Sequence, residues 1–187
     1  MHMLPTERHW TVDEVLALPS DGNRYEVVDG ELLVTPAASV KHQYLLGELY
    51  ARLRAYLEAQ PVGTVFFAPA DCFIDADAYV QPDLFVVPGT IATLPDDWRE
   101  MPRPILVVEV LSPSTLRADR HVKRPRYQRA HVDEYWIVDP EWRTIERWRP
   151  KDDVGETIGD QLEWRPAGAS EPFRLDLRDY FATEDKR

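Results

Sequence analysis

Two continuous apolar runs on either side of one helical segment constrain the fold of this chain more than any other feature. The runs are "ILVVEVL" at 105–111 and "EYWIVD" at 134–139. Uninterrupted β-branched and aliphatic residues are typical of strands that are covered on both faces. A helix over 114–131 between such strands predicts a βαβ crossover with parallel strands and right-handed connection. Pro125 predicts a kink or interruption in that helix.

The residues before this unit predict a helix and several strands. Thr11 and Glu14 form a capping box for a short helix through Leu18. Asp29-Gly30 predicts the turn of a hairpin over 24–35. Ser39 caps a helix with apolar residues at helical spacing, which ends near Pro61.

Further strands are predicted over 64–75 and 79–87, before the strand at 105–111. The core order is then helix-strand-strand-strand-helix-strand. This order indicates an α/β fold with a mixed central sheet flanked by helices, preceded by an N-terminal helix and a β-hairpin. Residues 150–171 are rich in turn residues, and 171–181 predict a strand or short helix.

Composition limits the class of protein. The 187 residues show no internal repeat, so we expect a single domain over 1–187. Cys72 is the only cysteine and cannot form an internal disulfide, which favours a reducing, cytoplasmic environment. The N-terminal "MHMLPTERHW" lacks the apolar stretch of a signal peptide, and no apolar run is long enough to span a membrane.

Charge is unevenly distributed along the chain. The net charge of −11 disfavours non-specific binding to nucleic acid. Residues 117–129 nevertheless hold six cations against one acid. The segment could supply phosphate contacts, with Arg120, Arg124 and Arg126 as the candidates, or it could be a solvated basic helix face.

Two acids stand at apolar strands. Glu109 lies inside the run 105–111, near its C-terminal end, where its carboxylate loses hydration and must be neutralised, paired or bound to a cation. Asp83 follows Pro82 at the start of "LFVV", where an aspartate can also simply cap a turn. Mg²⁺ is commonly held by one or two carboxylates together with waters and substrate phosphate. The pair therefore predicts a metal site at the ends of two neighbouring strands.

A lysine on the helix after the Glu109 strand is the third candidate. Asp119, Lys123 and Tyr127 are spaced at i, i+4 and i+8 and share one helix face. The helix must cross back over the sheet, so its early turns start near the acids. We expect the Lys123 ammonium within about 8 Å of a Glu109 carboxylate oxygen. The alternative is a surface lysine paired with Asp119.

Several ordered motifs between Arg24 and Pro140 resemble one known family. "RYEVVDGELLVTPAAS", "KHQ", "VQPDLFVV", "LVVEVLSPST", the D-x3-K-x3-Y spacing and "VDEYWIVDP" are similar to the Uma2 family of restriction-endonuclease-like proteins, within the PD-(D/E)XK nuclease superfamily. The core order above resembles the core of that superfamily.

The resemblance implies roles for individual residues. Asp83 matches the aspartate of the PD motif and Glu109 the acid of the second motif, and both would be ligands of Mg²⁺, with Mn²⁺ as a substitute. The superfamily lysine normally stands two residues after that acid, where this chain has Leu111. Related nucleases carry the lysine on the following helix, which makes Lys123 the matching catalytic candidate.

Other residues are candidates for lining the site. Glu26 and His42 fall in the N-terminal signature of the family, although a histidine in the first turn of a helix is more often a surface or capping residue. Tyr127 packs against or orients Lys123 in this interpretation. Asp71 either enlarges the acidic cluster or faces solvent, and Asp119 accompanies Lys123.

The resemblance implies a Mg²⁺-dependent endonuclease that hydrolyses DNA phosphodiester bonds. A metal-activated water near Lys123 would attack the phosphorus. A homodimer is expected, since cutting both strands of a duplex needs two sites. The alternatives are a nuclease fold that has lost catalysis with the lysine at Leu111 and serves as an interaction module, and a metal-dependent phosphodiesterase acting on small nucleotides.

Overall fold

A computed structural model of the protein describes residues 8–182, so the first seven and last five residues of the predicted 1–187 domain lie outside the described part. Four α-helices are found there: α1 (Val12–Leu16), α2 (Val40–Ala59), α3 (Arg124–Arg129) and α4 (Leu177–Ala182). A 3₁₀ helix covers Trp98–Glu100, and a π-helix covers Ala118–Lys123. Within the described residues, none of the helices combines the length and apolar character needed to cross a membrane.

Twelve strands accompany these helices in the described part of the chain: β1 (Arg24–Val28), β2 (Glu31–Thr35), β3 (Gly63–Phe67), β4 (Cys72–Asp75), β5 (Ala78–Val80), β6 (Leu84–Pro88), β7 (Leu106–Val110), β8 (Glu134–Asp139), β9 (Thr144–Trp148), β10 (Glu156–Ile158), β11 (Gln161–Trp164) and β12 (Phe173–Asp176). The predicted capping box, with its helix α1, and the hairpin β1–β2 are both confirmed.

The central sheet has six strands in the order β10-β9-β8-β7-β6-β3. β7 and β8 are parallel and the other neighbours are antiparallel, so the predicted mixed sheet and parallel β7–β8 pair are confirmed. Leucines of α2 pack in the core on one face, and Tyr127 and Tyr135 lie in the core on the other. Both faces are covered, which explains why β7 is apolar on both sides.

A second sheet has the order β2-β1-β5-β4, and it shows that two of the predicted strands were wrong. The predicted strand 64–75 is two strands, β3 in the central sheet and β4 in the second sheet. The predicted strand 79–87 is likewise split into β5 and β6, which belong to different sheets. Pro69 and Pro82 stand at the two breaks, where the missing N–H would interrupt a strand ladder.

The helix predicted over 114–131 is also divided. Residues 118–123 form π-helical turns, and the Arg124 N–H donates to the Asp119 carbonyl five residues earlier. Pro125 follows directly, has no N–H to donate, and occupies the first turn of α3. The segment that carries Asp119 and Lys123 is thus wider than an α-helix, a feature often found at functional sites.

Candidate active site

The candidate site lies where the chain passes from the second sheet into the central sheet. β6 and β7 are antiparallel, with Leu84 opposite Val108. This register places Asp83, just before β6, next to Glu109 at the C-terminal end of β7. The Val110 N–H donates to Asp83 Oδ2 at 2.9 Å, and the Asp83 N–H donates to Glu109 Oε2 at 3.3 Å. The structure therefore brings the two predicted acids together.

Asp83 is buried and its carboxylate accepts hydrogen bonds on both oxygens. Arg24 Nη1 donates to Oδ1 at 3.0 Å, and His42 Nε2 lies 2.9 Å from Oδ2. Burial by itself raises the pKa of a carboxyl. The hydrogen bond and charge of His42, together with the charge of Arg24 and the Val110 N–H, outweigh burial and hold the pKa of Asp83 well below its ordinary value. Asp83 is therefore an anion at any physiological pH.

Lys123 is fully buried between carboxylates. Its Nζ lies 2.9 Å from Glu109 Oε1, 2.9 Å from Glu26 Oε1 and 3.6 Å from Asp119 Oδ1. The prediction that this ammonium lies within about 8 Å of Glu109 is confirmed. The alternative of a surface lysine is wrong, because only 1% of the side chain is exposed.

Burial and neighbouring charges together determine the titration of this cluster. Burial lowers the pKa of a lysine, but the charges of Glu109, Glu26 and Asp119 more than compensate and raise the pKa of Lys123 above its ordinary value. Burial raises the pKa of Glu109 well above its ordinary value; Lys123 opposes this, and the charges of Asp83 and Asp119 add to it. Lys123 is thus a permanent ammonium, suited to electrostatic stabilisation and not to accepting a proton.

Asp119 and Tyr127 stand next to this lysine without hydrogen-bond partners on their polar atoms among the described residues. Burial raises the pKa of Asp119 against the charge of Lys123. Tyr127 packs its ring against Tyr135 at a centroid distance of 4.8 Å, and its hydroxyl is buried. Tyr127 therefore packs beside the cluster and makes no hydrogen bond to Lys123.

Pro82 interrupts the chain between two sheets, and the N–H groups on either side of it donate to carboxylates of the site. The neighbouring Gln81 and Asp83 N–H groups stand at the break between sheets. Gln81 N–H donates to Glu26 Oε1 at 2.8 Å and Asp83 N–H donates to Glu109 Oε2 at 3.3 Å. The change of sheet thus supplies donors to two buried carboxylates, which lowers the cost of burying them.

Arg24 is the residue of this cluster that the sequence analysis missed. Besides Asp83, its Nη1 donates to the Gln81 carbonyl at 2.9 Å, and its Nε lies 3.7 Å from Glu26 Oε2. Arg24 and Glu26 are two residues apart on β1 and therefore share one face of the strand. Two opposite charges on one face of β1, whose other residues are Tyr25, Val27 and Val28, were the available signal.

His42 is more than a capping or surface residue, which corrects the more common interpretation of a histidine in a first helical turn. Its backbone N–H does donate to the side chain of Ser39, the N-cap of α2, but its ring is buried and hydrogen-bonded to Asp83. Asp71 is not in contact with the acids. Its Oδ1 accepts from the Tyr79 hydroxyl and the Gln81 side chain, so it is connected to the site through Gln81.

The predicted phosphate-binding arginines are engaged within the protein. Arg120 pairs with Asp139 and Glu146, and Arg126, which is buried, pairs with Asp29 and Asp75. Arg124 makes no ion pair with an acid in the described part of the chain. It donates to the Arg120 carbonyl and Gln128 Oε1, and its guanidinium stacks over Trp148 at 4.3 Å. Contact of these three with DNA stays a prediction.

A cavity of about 620 Å³ opens onto Asp83, which lines it together with Arg24, His42 and Gln81. Ser112, Ser114 and Thr115, which follow β7, line it on another side. Lys123, Glu26, Glu109 and Asp119 do not reach this cavity. A substrate entering here therefore meets Asp83 first, with the lysine cluster behind it.

The donor set fits a hard divalent cation in charge and chemistry. Four buried carboxylates, on Glu26, Asp83, Glu109 and Asp119, face the permanent cations Arg24 and Lys123, and His42 is a further partner of Asp83. The acids therefore outnumber the permanent cations by two. Glu26 Oε2 and both Asp119 oxygens accept no hydrogen bond from the described residues. Within residues 8–182, no group of three or more histidine, cysteine or acidic side chains has the arrangement of a metal site. Two carboxylates are sufficient for Mg²⁺.

Comparisons with known proteins agree with the motifs. The family Uma2, described as "Putative restriction endonuclease", matches residues 12–176. A solved structure described as a "putative nuclease belonging to DUF820" from Anabaena variabilis ATCC 29413 is similar to this chain, with a TM-score of 0.75 and 23% identity. The similarity covers 92% of this chain and 98% of that chain, and it shows a shared fold. A comparison with curated proteins gave no match.

Proposed function

Because the chain belongs to the Uma2 family of restriction-endonuclease-like proteins, we propose that it is a Mg²⁺-dependent endonuclease that hydrolyses DNA phosphodiester bonds. The observation that carries the proposal is the pairing of Asp83 with Glu109 at the end of β7, backed by the buried ammonium of Lys123. Leu111 occupies the usual lysine position, and Lys123 supplies the charge from the neighbouring helical segment.

Asp83 and Glu109 would hold the cation, with Mn²⁺ as a substitute for Mg²⁺. When bound, such a cation lowers the pKa of water and stabilises charge on the phosphate oxygens. The surplus of two negative charges in the cluster supports a divalent ion. Burial, and then the charges of Asp83 and Asp119, raise the pKa of Glu109, so a bound cation would supply the positive charge that a proton supplies without it.

The protein's own side chains supply orientation and charge. Arg24 and His42 hold the carboxylate of Asp83 from two sides, so its oxygens keep one orientation. Lys123 orients Glu109 and Glu26, and it stabilises negative charge that develops at the phosphate through the buried, weakly screened cluster. Tyr127 and Tyr135 exclude water behind the lysine.

DNA is the proposed substrate, and a homodimer would place two sites on the two strands of a duplex. Phosphate contacts by Arg120, Arg124 and Arg126 belong to this proposal. Arg124 is best placed among them, because it has no acidic partner in the described part of the chain.

The test is cleavage of supercoiled plasmid and of a labelled single strand, each with Mg²⁺ and with EDTA. Cleavage is expected with the metal only, and Glu109→Gln should abolish it. Glu58→Gln is the matched control, since Glu58 is exposed on α2 and forms an ion pair with Arg54 of the same helix. Cleavage by Glu109→Gln at the wild-type rate would contradict the proposed site.

Calorimetric titration separates this function from the rival of a nuclease fold without catalysis. Mg²⁺ should give binding heat with the wild-type protein and none with Asp83→Asn. An absence of heat together with an absence of cleavage on every nucleic acid would favour the non-catalytic interaction module.

A further inference from the structure

The cavity beside Asp83 points to the form in which the substrate enters. We propose that it binds one unstacked nucleotide of a strand, with the phosphate against Arg24, so that the enzyme acts on single-stranded or locally opened DNA. This inference rests on the proposed nuclease function and names its substrate class. The cavity of about 620 Å³ falls within the range of about 300–1,000 Å³ that is common for small-ligand pockets.

Arg24 is the group that selects a phosphate. Among the described residues that line the cavity, it is the only one with a permanent positive charge. Lys123 cannot take this role, because 1% of its side chain is exposed and three carboxylates surround it. Hydrogen bonds from Arg24 to Gln81 and Asp83 use Nη1, and none among the described residues uses Nη2. Nε is buried beside Glu26 Oε2, at 3.7 Å, so Nη2 is the group left to donate to a phosphate oxygen, and it lies in the fixed plane of the guanidinium.

The remaining walls suit the nucleoside part of a nucleotide. Ser112 and Ser114 contribute hydroxyls, and Asn23 and Gln43 contribute side-chain amides, which can both donate and accept hydrogen bonds. Pro36 and Ala38 add apolar surface on which a base can lie. The unpartnered Nδ1 of His42 belongs to a ring that is nine-tenths buried and lines the same cavity.

The rest of the surface disfavours a long duplex tract. Duplex binding without base contacts needs several cations along the phosphate backbone. The protein carries a net charge of −11, and in its basic segment Arg117, Arg120, Arg126 and Arg129 pair with acids of this chain. One cation in one concave site can instead take one phosphate with its nucleoside, which requires that base to leave a stack.

Fluorescence anisotropy with a short labelled single strand and the duplex of the same sequence tests this inference. Ca²⁺ replaces Mg²⁺ in the assay, since the two surplus negative charges would otherwise repel a phosphate. The single strand is expected to bind at least about tenfold more tightly than the duplex, a difference of about 1.4 kcal/mol. Thymidine 5′-monophosphate should displace the strand, and thymidine should not.

Ala38→Trp fills the cavity from its exposed loop and should abolish binding of the strand. Ala167→Trp is the matched control, because Ala167 is exposed in a turn and does not line the cavity. Equal binding of duplex and single strand, or strand binding unchanged by Ala38→Trp, would overturn the inference.

The two proposals can fail separately. Plasmid cleavage at the wild-type rate by Ala38→Trp would overturn the nucleotide cavity and leave the nuclease function intact. Displacement of the strand by thymidine 5′-monophosphate, lost in Ala38→Trp, would support the cavity even where Mg²⁺ produces no cleavage.

Discussion

Replacing Lys123 by methionine is expected to remove the counter-charge of three buried carboxylates. The Lys123 ammonium lies 2.9 Å from oxygens of both Glu26 and Glu109 and 3.6 Å from Asp119. Methionine keeps most of the volume of the side chain, so the change in packing is small. Removing one partner of a buried ion pair costs about 3–5 kcal/mol, because the other charge is left uncompensated. A typical domain has a stability of about 5–15 kcal/mol, so the loss is large but leaves a folded protein.

The measurement is urea unfolding at neutral pH, followed by tryptophan fluorescence. With a slope of about 2 kcal/mol per M, the midpoint should fall by roughly 2 M at unchanged slope. Lys151→Met removes an exposed ammonium from a loop and should change stability by less than about 0.5 kcal/mol. Lys123→Met with Glu109→Gln should recover part of the loss, since one buried negative charge is removed with the positive one.

The pH dependence gives a second measurement with a definite sign. The pKa of Glu109 is already raised by burial, and removal of Lys123 raises it further. A carboxyl with a raised pKa in the folded state contributes stability below its ordinary pKa, and that contribution is lost as the pH rises through the raised value. The stability that Lys123→Met loses relative to wild type should therefore become smaller as the pH is lowered from the raised pKa of Glu109 toward the ordinary pKa of a carboxyl. A deficit below about 1 kcal/mol, or one that does not change with pH, would refute the counter-charge role.

Three sets of substitutions test separate parts of the geometry. Asp83→Asn should lower the free energy of unfolding by about 3 kcal/mol at neutral pH, because Arg24 and His42 lose an anionic partner. Glu109→Gln should instead raise the melting temperature of the metal-free protein. A change of stability in the same direction for both variants would contradict the assigned charges. Because the pKa of Asp83 is lowered in the folded protein, its contribution to stability should be lost only as the pH falls below the ordinary pKa of a carboxyl. Arg124→Gln should reduce the slope of log binding constant for DNA against log salt concentration by about one unit. Arg120→Gln and Arg126→Gln should mainly lower thermal stability. An unchanged slope for Arg124→Gln would show that Arg124 does not contact a phosphate. Tyr127→Phe removes a buried hydroxyl without a partner and should leave the melting temperature equal or slightly higher, so a clear loss would indicate an unrecognised hydrogen bond.

The strongest local patterns predicted their elements correctly. The capping box at Thr11, the Asp29-Gly30 turn and the apolar run of β7 each contain their own signal within a few residues. The parallel pair β7–β8 also followed from the sequence, because a short helical connection between buried strands leaves little choice of topology. Glu109 and Asp83 could be recognised as candidates because a carboxylate beside a buried strand is costly unless it has a role.

The sequence could not show where one strand ends and another sheet begins. The runs 64–75 and 79–87 each looked continuous, since hydrophobic alternation does not record which neighbour a strand pairs with. Pro82 was visible, but the use of the adjacent N–H groups by Glu26 and Glu109 depends on the distance between two sheets. The π-helical turns before Pro125 were equally hidden, because they depend on the packing of that segment against the sheet.

The sequence by itself predicted the fold class, the pair of acids and the helix that carries Lys123, because each of these predictions depends on patterns of residues that are close together along the chain. Only the tertiary structure decided that Arg24 and His42 hold Asp83 and that Lys123 joins Glu26 to Glu109. Arg24 and His42 are 59 and 41 residues from Asp83, and Lys123 is 97 residues from Glu26, whereas the 14 residues between Lys123 and Glu109 let the sequence predict that pair. Charge pairing over the longer separations leaves no periodic pattern. Pairing of distant charges arises because folding buries charged groups, and each must then be compensated by the opposite charges that the fold brings near.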